Sequence, residues 1–135
     1  MMLAFVLAVI LSLNADFVQT KQIKLMREPQ VSTGHLVYRA PDYMQWQYIK
    51  PNKVTWEMNG EQTNVNPQLQ RMLKMIMASI SGEAQNDAKL QREMKKMFRE
   101  VNITMDDTGE VAKRVELVEQ NGDITVIEFS NVIKQ

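Results

Sequence analysis

The chain reads as an α+β domain in which an antiparallel sheet with one apolar face is covered by helices. Three observations predict this. Period-2 alternation runs through three successive segments between Leu36 and Asn59. Turn chemistry cuts those segments at Ala40-Pro41-Asp42, Pro51-Asn52 and Asn59-Gly60, since proline presets one turn dihedral and Asn-Gly supplies the positive φ of a tight hairpin. The period then changes to that of a helical face from Pro67 onward.

In chain order, Leu3–Leu11 is an unbroken apolar run, followed by Ser12-Leu13-Asn14-Ala15 and the first charge at Asp16. It is too short to span a bilayer, which needs roughly 20 apolar residues. Residues 1–15 are expected to form an export signal cleaved after Ala15, or a retained first helix packed on the sheet. Residues 16–135 are expected to form one domain. Residues 15–60 read as a string of short strands, the clearest being Leu36–Arg39, Tyr43–Lys50 and Lys53–Asn59. Their apolar positions are Leu36, Tyr38, Met44, Trp46, Tyr48, Val54, Trp56 and Met58. From Pro67 to Ser81 the spacing of Leu69, Met72, Leu73, Ile76, Met77 and Ile80 predicts an amphipathic helix, with Pro67 in its first turn and Gly82 to end it. Glu83–Lys89 is polar, Leu90–Phe98 has helical propensity, and strands return at Val101–Met105, Val111–Gln120 and Asp123–Ser130. The turns between these are Asp106–Gly109 and Asn121-Gly122.

The order of short motifs resembles the LolA-type outer-membrane lipoprotein carriers. The residues are Phe17-x-Gln19-x-Lys21, Pro29-x-x-Ser32-x-Gly34, Tyr38-x-x-Pro41, Trp46-x-Tyr48-x-x-Pro51 and Asn59-Gly60. Val118-Glu119-x-x-Gly122-Asp123-x-Thr125-x-Ile127-x-Phe129 is similar to the family's closing strands. The resemblance spans residues 15–66 and 94–131. It implies a curved antiparallel sheet forming an incomplete barrel, with helices as a lid over its concave face. It also implies binding of lipoprotein acyl chains in the periplasm by a monomer. An inner-membrane lipoprotein-releasing ABC transporter would be the donor and an outer-membrane acceptor the recipient. The lining would come from the eight strand residues above and from Leu69, Met72, Leu73, Ile76, Met77 and Ile80 of the lid. Two departures stand out. The resembled proteins carry a further strand pair where this chain has about a dozen polar residues between Gly82 and Met94, so the sheet should be smaller or more open. Where many of them carry a basic residue that holds the lid closed, this chain has Ala40; Arg39 points to the opposite face by alternation.

Composition excludes more than it assigns. Sixteen Lys and Arg balance sixteen Asp and Glu, so no basic footprint argues for nucleic acid. The absence of Cys removes disulfides and thiolate chemistry, and no metal motif or cofactor signature appears. Eleven Met suit either a gap-filling core or an adaptable apolar surface. The single His35 sits within a strand-like run and reads as a half-exposed strand residue rather than a general base. Asp106-Asp107 read as turn caps, and Glu110, Glu116, Glu119 and Glu128 as a solvated sheet face. No Gly-x-Ser-x-Gly elbow or acid–base pair can be assembled, so the reading is not an enzyme. The alternative to a carrier is a lipid-sensing or protein-interaction module of the same fold; a domain with a filled core is the blandest reading.

Overall fold

The computed structural model describes residues 12–40, 42–60, 62–80 and 88–135. Eight strands form one antiparallel sheet: β1 (Ser12–Gln22), β2 (Gln30–Arg39), β3 (Tyr43–Lys50), β4 (Val54–Asn59), β5 (Gln62–Thr63), β6 (Glu100–Met105), β7 (Ala112–Val118) and β8 (Ile124–Lys134). Two helices, α1 (Pro67–Ile80) and α2 (Ala88–Met97), lie between β5 and β6 in the chain. The spatial order is β5-β4-β3-β2-β1-β8-β7-β6, so the sheet is open, with β5 and β6 at its two edges.

This order constrains where the helices go. Two meanders, β2 to β5 and β6 to β8, are joined through β1, which pairs with β2 on one side and β8 on the other. The chain leaves the sheet at one edge and re-enters at the opposite edge. α1 and α2 make that traverse across one face, α1 packing on β7 and α2 on β6. The covered face follows the alternation: Leu13, Ala15 and Phe17 in β1, Leu36 in β2, Met44 and Trp46 in β3, Val115 and Leu117 in β7, Ile127 and Phe129 in β8 are all buried. Register aligns them in rows, one running Trp56, Trp46, Leu36, Ala15 and another Gly34, Phe17, Phe129.

The eight strands include β1 as a full strand and β5 as a two-residue edge. Ser12–Ala15 form the start of strand β1. Leu13 and Ala15 have no exposed surface and belong to the core side of this strand. Their burial follows from period-2 continuity with Phe17; residues 1–11, the rest of the expected export signal or first helix, lie outside the described residues. β8 runs on to Lys134 because Ala15 faces both Asn131 and Val132 across a β-bulge, after which Ile133 and Lys134 pair with Asn14 and Leu13. Asn131 takes φ 51° there, and asparagine tolerates that conformation better than most residues.

Helix α1 begins at Pro67 as expected; Ser81 and Gly82, where its end was expected, lie outside the described residues. Its burial is wider than one amphipathic face. Leu73, Met75, Ile76, Met77, Ala78 and Ile80 are all buried, while Arg71 and Lys74 are exposed. A helix buried around this much of its circumference belongs to an interior rather than to a surface. α2 buries Met94 and keeps Lys95 and Lys96 in its last turn, where cations suit the negative end of the helix dipole.

Candidate functional site

The site is organised by a glycine. Gly34 in β2 lies opposite Phe17 in β1, and a Cβ built on it would sit 2.4 Å from Phe17 Cζ and 2.1 Å from the Gln47 carbonyl oxygen. Only a residue with no side chain lets the Phe17 ring cross β2 at this point. The ring then stacks on Trp46, with centroids 4.1 Å apart and planes at 25°. Tyr48 meets Phe17 edge-on at 5.5 Å and Trp56 edge-on at 5.3 Å. Four aromatic side chains from β1, β3 and β4 thus form one contiguous surface under α1.

Above that surface lies a cavity of about 210 Å³ between the sheet and the helices. Trp46, Tyr48 and Trp56 line its sheet side, Met72, Leu73 and Ile76 of α1 its other side, and Phe98, Leu117 and Ile127 close it from the C-terminal half. Its polar groups gather on β1 and its neighbours. The Tyr48 hydroxyl donates to Gln19 Oε1 at 2.8 Å, and Lys21 Nζ lies 3.9 Å from a Glu119 carboxylate oxygen. Burial raises the Tyr48 hydroxyl above the usual phenol value, and its contacts with Trp46 and Gln19 only partly offset this, so it stays a donor at neutral pH. Trp46 is 1 % exposed, and its indole lies beside the Tyr48 hydroxyl as the first of the two contacts that lower its pKa.

The expected lining residues divide into groups. Trp46, Tyr48, Trp56, Met72, Leu73 and Ile76 come together around the cavity. Leu36, Met44, Met58, Met77 and Ile80 are buried in the surrounding core, and Tyr38 is half-buried against it. Val54 is corrected: it is 42 % exposed, because it opens β4 just after the Pro51-Asn52 turn, where alternation outruns the covered part of the sheet. The side chain of Leu69 lies outside the described residues. Sequence reasoning missed Phe17, Gln19, Lys21, Phe98, Leu117, Glu119, Thr125 and Ile127, all at or beside the cavity. Glu119 is a second correction, since it faces the cavity with Leu117 instead of lying on a solvated face. The signal was available in the alternation Val115, Leu117, Glu119 and Leu13, Ala15, Phe17, Gln19.

The opposite face of the sheet mixes exposed apolar side chains such as Val18 and Val31 with a polar cluster. Asp16 accepts from Asn131 Nδ2 at 2.9 Å and bonds His35 Nδ1 at 2.8 Å, tying β2, β1 and β8 together. The Asn131 hydrogen bond, then that of His35, holds the Asp16 carboxyl below the usual aspartate range. Arg39 lies over the Tyr43 ring, 5.7 Å from its centroid. Asp106 accepts from the Thr108 hydroxyl at 2.6 Å within its turn. A larger hollow of about 390 Å³ is a groove between α2 and the edge strand β6, floored by Met94, Phe98, Val101 and Ile103 and rimmed by Lys95 and Arg99. No helix among the described residues is long and apolar enough to cross a membrane.

No protein-family model matches the chain, and no curated protein matches it.

Proposed function

We propose that the protein is a periplasmic carrier that takes the acyl chains of lipoproteins into the space between the sheet and α1, and moves them from the inner to the outer membrane. The observation that carries the reading is the aromatic–methionine cavity, with Trp46, Tyr48 and Trp56 facing Met72, Leu73 and Ile76 across an unfilled volume. The open sheet with its crossing helices supports an incomplete barrel closed by a helical lid. The resemblance of the motif order to LolA-type carriers supplies the proposed partners, an ABC transporter as donor and an outer-membrane acceptor.

The energetics fit the task. Each acyl methylene removed from water is worth about 0.8 kcal/mol, so a chain in transit needs continuous apolar cover. The cavity's 210 Å³ falls below the roughly 300–1,000 Å³ typical of small-molecule sites. Loading therefore requires α1 to move away from the sheet. Methionine and edge-on aromatic contacts can re-form against chains of different shape, so the lining exchanges its own apolar partners for those of the cargo.

The test is native mass spectrometry after incubation with a synthetic triacylated lipopeptide. A 1:1 complex that survives passage through a sizing column is expected. Free protein alone, with lipopeptide in excess, would overturn the carrier reading.

A further inference from the structure

The two edges of the sheet differ. β5 has two residues, whereas β6 runs for six and among the described strands pairs only with β7. An edge strand presents a row of backbone N–H and C=O groups to any further strand, and sheets blunt such edges with proline, lysine or a covering element. β6 contains neither proline nor lysine. Helix α2 stands beside it without closing on it, since the groove of about 390 Å³ separates the two. Within β6, Val101 and Ile103 are half-buried while Glu100, Asn102 and Thr104 are exposed. Alternation thus turns Val101 and Ile103 to the groove, where Met94 and Phe98 complete an apolar floor. A neighbouring strand lies about 4.8 Å away in a sheet, so one added beside β6 would send every second side chain into this groove.

Charge fixes what its end should carry. The Arg99 N–H donates to the Val118 carbonyl at 2.8 Å, which continues the ladder one residue before β6 and gives Arg99 the parity of Val101. Arg99 and Lys95 are the cations bordering the groove, and Glu100, of the other parity, is the acid at the same end. Among the described residues none of the three has an ion-pair partner. An antiparallel strand ending there is matched by a carboxylate opposite Arg99 and a cation opposite Glu100. We propose that β6 and the groove are a docking site for an extended segment of a partner protein. That segment joins the sheet as a further antiparallel strand, with apolar side chains at alternate positions and a basic residue then an acidic one at its C-terminal end. Backbone hydrogen bonds supply the attraction, and the groove selects the side chains. The site shares only Phe98 with the cavity beneath α1, and its occupancy does not depend on what that cavity carries.

The probe is the peptide acetyl-Val-Thr-Val-Thr-Val-Lys-Glu-amide, compared with the same peptide ending Glu-Lys. Each is titrated by NMR into wild-type protein and into the exposed-site variant Arg99→Glu/Glu100→Arg, with amide hydrogen exchange followed along β6. Saturable binding of the first peptide is expected, with alternate β6 amides slowed in exchange. Two exposed charge pairs predict that the swapped peptide binds wild type about three- to tenfold more weakly, and that the variant reverses this preference. Should the variant fail to fold, the two peptides on wild type still decide. Binding of neither peptide, equal binding of both, or binding that leaves β6 exchange unchanged would overturn the proposal. Protection of the same amides in concentrated protein without peptide would make a second copy the occupant, and would overturn the assignment to a partner segment.

Discussion

Replacing Gly34 by alanine tests whether the aromatic surface is built as described. The added Cβ would lie 2.1 Å from the Gln47 carbonyl oxygen and 2.4 and 2.7 Å from two Phe17 ring carbons. Real Cβ contacts do not approach this closely, and the first neighbour is backbone, so β2 and β3 must separate locally. Overpacking of this kind costs about 1–3 kcal/mol. Displacing Phe17 also breaks its 4.1 Å stack on Trp46, worth about 0.5–1.5 kcal/mol beyond area burial. The sum is about 2–4 kcal/mol, a large share of the stability of an ordinary domain. Urea unfolding followed by circular dichroism should show a lower midpoint with little change in slope. Phe17→Leu in the same background should recover only part of the loss, because the clash with the Gln47 carbonyl remains. A loss below about 1 kcal/mol for Gly34→Ala would refute the placement of Phe17 over β2.

Two further perturbations bear on the lid and on the polar cluster of the opposite face. Ile76→Glu puts a carboxylate on the cavity side of α1; unfolding should show a loss of about 2–4 kcal/mol and lipopeptide binding should vanish, whereas retained binding would remove α1 from the site. Asp16 is held below the usual 3.8, so its contribution to stability is present above that value and is lost as pH falls through the depressed folded-state pKa. Thermal melts between pH 5 and pH 2 should therefore flatten in Asp16→Asn relative to wild type, and identical profiles would show that the Asn131 and His35 contacts do not favour the charged carboxylate.

Much of the sheet was legible because its signals are local. β3 and β4 pair across a short turn, and Met44, Trp46, Tyr48 alternate against Trp56 and Met58 with little interruption. The period change at Pro67 marked α1 for the same reason. The central role of β1 was not legible. Its alternation of Leu13, Ala15 and Phe17 follows directly on the apolar run Leu3–Leu11, which masks the change of period, and its partner β8 lies more than a hundred residues away with no turn signal between them. The cavity was half legible. The aromatic strand residues declared a face, but the C-terminal wall mixes Leu117 and Ile127 with Glu119 and Thr125, and that polarity disguised a face turned inward. Burial around most of α1 was likewise hidden, since Met75 and Ala78 fall outside the stripe that helical spacing picks out.

The most direct measurement of the central claim is tryptophan emission during titration with a diacylated lipopeptide, using Trp56→Phe so that Trp46 alone reports. Trp46 is buried against Phe17 and faces the cavity. Acyl chains entering beneath α1 must change what surrounds its ring, and the account predicts a saturable shift in emission with 1:1 stoichiometry. Emission that stays constant through saturating lipopeptide would mean that the space under α1 does not admit acyl chains, and would contradict the account.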